Sequence, residues 1–84
     1  MMVQVECVGI VKATEKAVLV EFDNGDYINE VWLPKSQAQP IGYRDENGKA
    51  HITAVKMPYW LAKNNGLLAE DGWKMPKYNY TIIK

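Results

Sequence analysis

A single cysteine and a single histidine in 84 residues leave this chain few routes to covalent or metal chemistry. With Cys7 alone, no internal disulfide can form and no cysteine-based zinc site can be assembled. Cys7 falls in an alternating apolar run, which predicts a buried, inert thiol rather than a nucleophile or redox sensor. His51 stands in a strand-like run with no second histidine or cysteine near it in sequence, so no metal set or nucleophile–base pair is built on it. It reads as a surface or half-buried strand residue. The chain also lacks a glycine-rich phosphate loop. Its carboxylates fall mostly in turns and at strand ends, where no general acid–base pair can be named. The expectation is a protein that is not an enzyme, with no catalytic residue, no metal and no cofactor.

Long apolar runs are missing too. Nothing approaches the roughly 20 residues that a bilayer-spanning helix requires, and no basic-plus-apolar leader opens the sequence. No membrane partner is expected, and the cytoplasm is the default location.

Charge of either sign is not in excess: ten Lys and Arg balance ten Asp and Glu. Neutrality argues against a dedicated duplex-DNA binder, whose affinity comes largely from neutralising phosphates. The balance is uneven along the chain. Residues 1–30 hold six acids (Glu6, Glu15, Glu21, Asp23, Asp26, Glu30) against Lys12 and Lys16, a net of −4. The remaining residues hold four acids against eight bases, a net of +4. Should this asymmetry survive folding, the molecule has an acidic face and a basic face able to orient association.

Eighty-four residues make one domain, 1–84. A chain this short buries about two-thirds of its unfolded surface, so its net stability is ~4–12 kcal/mol. The core is therefore expected to draw on most of the large apolar residues, the three tryptophans included.

Alternation dominates the pattern. Met2 to Lys12 reads as one strand with Val3, Val5 and Cys7 on one face, interrupted at Gly9. Lys16 to Phe22 reads as a second, with Val18, Val20 and Phe22 on one face. Asp23-Asn24-Gly25-Asp26 is a hairpin turn, because Asn-Gly supplies the positive φ such turns need. Tyr27 to Leu33 is a third strand, stopped by Pro34. After a loop over 35–40, Ile41 to Arg44 and Lys49 to Lys56 flank a second turn, Asp45-Glu46-Asn47-Gly48. Neither turn has the loop length or terminal glutamate of a calcium-binding EF-hand. Pro58 fits the first position of one short helix running to Asn64, and Asn65-Gly66 ends it. Ala69 to Met75 reads as a polar loop around Trp73, and Lys77 to Ile83 as the last strand. Together these elements predict a mainly β domain, a small SH3-like or OB-like antiparallel barrel with one short helix.

Two segments are candidates for binding. Lys35, Ser36 and Gln37 follow the strand-ending Pro34 and present a cation, a hydroxyl and an amide together. The same side chains could instead cap their own main chain. Near the carboxy terminus, Trp73, Tyr78 and Tyr80 are interspersed with Lys74, Lys77 and Lys84. An exposed Tyr78–Tyr80 face would be a stacking platform flanked by cations, as in single-stranded nucleic-acid binders, or a protein-docking patch. The alternative is that these rings fill the core of a very small domain.

The runs Lys16-Ala17-Val18-Leu19-Val20-Glu21, Val31-Trp32-Leu33-Pro34-Lys35-Ser36-Gln37 and Pro58-Tyr59-Trp60-Leu61-Ala62-Lys63, with Gly66-Leu67, resemble a family of small bacteriophage and prophage proteins. The resemblance spans about residues 14–68. The chain departs from the pattern by extra residues around Asp23–Glu30 and after Leu68. The family has no established activity to carry over, so the resemblance implies phage context in a bacterial host cell, not a mechanism.

Two functional expectations follow. One is a non-catalytic accessory protein that binds a host or phage protein, such as an anti-CRISPR-like inhibitor of host defence or a modulator of a replication factor. Trp73, Tyr78, Tyr80, Lys35, Ser36 and Gln37 would make the contact. The other is a single-stranded nucleic-acid-binding module aiding phage replication or recombination, with Tyr78 and Tyr80 stacking on bases and Lys35, Lys74 and Lys77 meeting phosphates. Free edge strands leave a homodimer open as a further partner.

Overall fold

The computed structural model describes residues 1–68 and 78–83. The protein is mainly β, with seven strands in two antiparallel sheets and one short helix among the described residues. The first sheet, sheet A, has the order β5 (Gln39–Arg44), β6 (Ala50–Pro58), β1 (Met2–Glu6), β7 (Tyr80–Ile83). The second, sheet B, has the order β2 (Gly9–Ala13), β3 (Ala17–Asp23), β4 (Ile28–Pro34). The helix α1 covers Tyr59–Asn64.

Period-two alternation puts the apolar residues between the sheets. Val3, Val5, Val55 and Met57 of sheet A and Val20, Phe22 and Leu33 of sheet B are fully buried, with Val18 and Val31 nearly so. The helix and the residues after it close one side, burying Leu61, Ala62, Leu67 and Leu68 in the same core. Gly66, at φ 71°, ends the helix, and the Leu67 N–H donates to the Ala62 carbonyl at 3.0 Å. Pro58 is the residue before the helix rather than its first member, and it still belongs to β6.

Both Gly-containing turns form where expected. Gly25 sits at φ 94°, and Asn24 Oδ1 accepts from the Asp26 and Tyr27 N–H groups at 2.8 and 2.9 Å. Gly48 sits at φ 80° in the β5–β6 turn. There Asp45 Oδ1 accepts from the Asn47 and Lys49 N–H groups at 2.9 and 3.0 Å. Oxygens of Asn24 and Asp45 thus serve their own turns.

Three further expectations need correction. The first is the single amino-terminal strand. Glu6 ends β1, the Cys7 N–H donates to the Thr53 carbonyl in sheet A at 2.9 Å, and the next N–H, of Val8, donates to the Glu21 carbonyl in sheet B at 2.8 Å. Adjacent residues bond to different sheets, so the chain crosses between layers at Cys7–Val8. Gly9 opens β2 rather than interrupting one long strand.

The second correction concerns the tryptophans. Trp32 is 48% exposed and Trp60 54% exposed, while valine, leucine, methionine and phenylalanine fill the interior. Trp32 has the parity of Glu30 on β4 and therefore points outward, whereas Val31 and Leu33 point in. The third is the extent of the last strand, which starts at Tyr80. Trp73, Lys74 and Lys77, and the loop expected over 69–75, lie outside the described residues, as does Lys84.

Candidate functional site

Pro34 ends β4, and its carbonyl accepts from the Gln37 and Ala38 N–H groups at 3.0 and 3.1 Å. The Lys35 N–H donates to the Lys16 carbonyl at 2.8 Å. Main chain alone therefore closes the turn. Ser36 and Gln37 contribute no side-chain hydrogen bond among the described residues, which removes the capping role open to them in the sequence. All three of Lys35, Ser36 and Gln37 are exposed.

They do not stand alone. Lys35, Ser36, Gln37, Ala38 and Gln39 line a surface groove of about 240 Å³ together with Met2, Lys56 and Pro58. Antiparallel pairing sets Lys56 directly opposite Gln39 on one side and Gln4 on the other. The buried parity of Val55 and Met57 obliges Lys56 to point away from the core. The groove thus joins two cations, a hydroxyl and two amides, and no carboxylate lines it among the described residues. Such a set donates hydrogen bonds to carboxylates, phosphates or main-chain carbonyls. Lys56 was missed in the sequence because only the β5–β6 register brings it beside the 35–39 turn. It also unites the two proline-bearing segments, Pro34–Gln37 and Met57–Pro58.

The proposed aromatic platform fares differently. Tyr78 is 6% exposed and belongs to the core, its ring edge-on to Phe22 at a 6.2 Å centroid separation. Its hydroxyl accepts a long contact from Asn29 Nδ2 at 3.4 Å. Tyr80 is half-buried against the same core, opposite Val5 on β1. An exposed Tyr78–Tyr80 face does not exist, because a domain this small uses Tyr78 to seal the end of its interior. Trp73, Lys74 and Lys77 remain candidates outside the described residues.

Aromatic exposure appears elsewhere. On the outer face of sheet B, Trp32 lies opposite Leu19, and Leu19 opposite Lys12. One step along, Glu21 lies opposite Glu30, with Gly9 on its other flank. Asp23 lies opposite Ile28, which is 52% exposed. Three of the six acids of residues 1–30, Glu21, Asp23 and Glu30, therefore share this sheet face. The sequence did not show that Glu21 faces Glu30, since the pairing register alone sets them opposite each other.

A third cluster sits at the β5–β6 turn. His51 Nε2 meets Asp45 Oδ2 at 2.8 Å, and the Tyr43 ring stacks on the imidazole at 5.0 Å and 20°. The His51 contact and the two turn N–H groups hold the Asp45 carboxyl below its ordinary pKa, the His51 bond being the largest cause. The same edge bears a groove of about 370 Å³ between β2 and the β5–β6 hairpin, lined by Cys7, Val8, Ile10, Tyr43, His51 and Ile52 among others. Burial pushes the Cys7 thiol up to about 11, so it is protonated at neutral pH and a poor nucleophile.

No family model matches the chain, and neither a search of curated proteins nor one of solved structures found a significant match.

Proposed function

We propose that the chain is a non-catalytic accessory protein that binds another protein through the Lys35-Ser36-Gln37 groove. The observation that carries this reading is the convergence of exposed donors that make no side-chain hydrogen bond among the described residues: Lys35, Ser36, Gln37 and Gln39 beside Lys56. The groove is shallow, lies between a turn and a sheet face, and suits the rim of a partner's surface carrying carboxylates or free carbonyls. The resemblance to small phage proteins suggests the setting, a bacterial cytoplasm, and a partner such as a defence or replication factor whose activity is blocked or redirected.

Nucleic-acid binding is the weaker reading. The groove's lysines could meet phosphates, but base stacking was to come from Tyr78 and Tyr80, and Tyr78 is spent on the core.

The test pairs a pull-down from bacterial lysate with a titration of labelled single-stranded DNA and RNA at low and moderate salt. The expected result is a protein retained by the wild type and lost with K35A/S36A/Q37A, alongside no oligonucleotide binding. Salt-sensitive oligonucleotide binding that disappears in K35A/K56A would transfer the groove to the nucleic-acid reading. Undiminished capture by the triple variant would remove the groove from the contact.

A further inference from the structure

The outer face of sheet B carries an arrangement that costs stability in the free protein. Glu21 and Glu30 are directly opposed across β3 and β4, a spacing of about 4.5–5.5 Å between Cβ atoms, and like charges so placed repel. Asp23 follows Glu21 on the same face of β3, two residues on. Lys12 is the one cation that the register places on this face among the described residues, and it flanks Leu19 rather than either glutamate. The position that could have carried a neutralising residue beside Glu21 on β2 is Gly9, and a Cβ there would meet nothing within 4 Å. Among the described residues the pair has open space at its side.

The same face exposes apolar surface next to that charge. Trp32 is 48% exposed over the half-buried Leu19, and Ile28 is 52% exposed at the other end. The apolar and acidic residues form adjacent rows: Leu19–Trp32, then Glu21–Glu30, then Asp23–Ile28. A solvated sheet face optimised for stability would intersperse charges of both signs and keep its tryptophan inside.

We propose that this face is a second docking surface, for a protein segment that presents arginine or lysine alternating with apolar side chains. The choice of occupant follows from charge complementarity. A cation placed between Glu21 and Glu30 is attracted by both carboxylates and relieves their mutual repulsion, so the gain on binding exceeds that of a single ion pair. Guanidinium suits the site best, since it bonds carboxylates in a planar fork and stacks on aromatic rings such as Trp32. A strand-like segment places alternate side chains on one side at a pitch matching the rows of the sheet. An acidic partner or a nucleic acid would meet three carboxylates and is disfavoured. This surface is distinct from the basic groove of Lys35 and Lys56, so the molecule offers faces of opposite charge, as an adaptor bridging two partners requires.

The test uses full-length protein and three fluorescein-labelled synthetic peptides of equal length: alternating arginine–leucine, glutamate–leucine and serine–leucine. Anisotropy gives the affinity, and amide chemical-shift changes give the location. The expected result is saturable binding of the arginine–leucine peptide, with shifts at Leu19, Glu21, Glu30 and Trp32. Affinity should fall at least tenfold in E21Q/E30Q and in W32A, and stay unchanged in K35A/K56A. In the free protein E21Q/E30Q should melt at a higher temperature than wild type. Stability and binding thus move in opposite directions, which a purely structural role would not produce. Equal binding of the glutamate–leucine peptide overturns the proposal, as does wild-type affinity in both face variants. Preference for the serine–leucine peptide keeps a docking face but overturns its basic occupant. Concentration-dependent self-association that W32A abolishes would assign the face to a second copy of the chain and likewise overturn it.

Discussion

Gly42 offers the sharpest test of how this fold is held together. The β5–β6 register slips between Ile41 and Gly42, and beyond the slip Gly42 pairs with Ile52, Tyr43 with His51 and Arg44 with Ala50. A Cβ on residue 42 would lie 1.8 Å from the His51 carbonyl oxygen, 2.8 Å from its carbon and 2.9 Å from the Ile52 Cα. All three are backbone atoms, so no side-chain rotation relieves the overlap. In G42A the strands must part by more than 1 Å merely to reach the 3.0 Å limit of observed contacts. That separation breaks the two or three ladder hydrogen bonds past the bulge, each worth about 0.5–1.5 kcal/mol net, and the total loss is about 1–4.5 kcal/mol. Against a stability of roughly 4–12 kcal/mol for a chain of this size, the effect is a large fraction of the whole. Urea denaturation supplies the free energy, and amide exchange should show new opening at Arg44, Ala50 and Ile52 with protection retained in β1. G9A is the control, because a Cβ there meets nothing within 4 Å. A loss below about 0.5 kcal/mol in G42A, with unchanged exchange at Ile52, would refute the argument that close backbone approach requires glycine here.

Two further outcomes follow from the titrating groups. With its pKa raised to about 11 by burial, Cys7 should alkylate slowly at pH 8 and at the rate of a free thiol once the protein is unfolded in urea; equal rates in both states would contradict that environment. Asp45 has a lowered folded-state pKa, so its contribution to stability is complete above its unfolded value and is lost as pH falls through the folded one, in the acid range below 3.8. H51L removes the largest cause of that lowering, so the Asp45 carboxyl, followed by NMR, should titrate closer to an ordinary carboxylate; an unchanged midpoint would place the cause in the turn N–H groups.

Much of the fold was legible because strand alternation and turn chemistry are local. Val18, Val20 and Phe22 announced the inner face of β3 by their spacing, and Asn24-Gly25 and Asn47-Gly48 announced their turns by the positive φ that glycine allows. The helix end at Gly66 was equally plain. The sheet switch at Cys7–Val8 was not, since alternation continues through it and only hydrogen-bond partners distant in sequence, Thr53 and Glu21, divide the chain there. Half of the candidate site was visible in Lys35, Ser36 and Gln37. Lys56 was hidden because its relevance depends on a register 17 or more residues away from Gln39. Trp32, expected in the core, lies at the surface, and Tyr78, open between core and surface, lies in the core, for a related reason. Parity decides which side of a strand a residue occupies, but not which side of which sheet is covered.

The sequence by itself determined a neutral, single-cysteine, mainly β chain with two glycine turns, one short helix and an acidic first third. These properties are sums, or patterns of a few neighbouring residues, and local sterics and hydrophobic spacing are enough to set them. Only the tertiary structure decided that Tyr78 is core and Trp32 surface, that Lys56 joins Lys35, and that Glu21 faces Glu30 beside Trp32. Those facts depend on which strands pair and in what register, and pairing is selected by the burial of the whole core at once rather than by any segment alone.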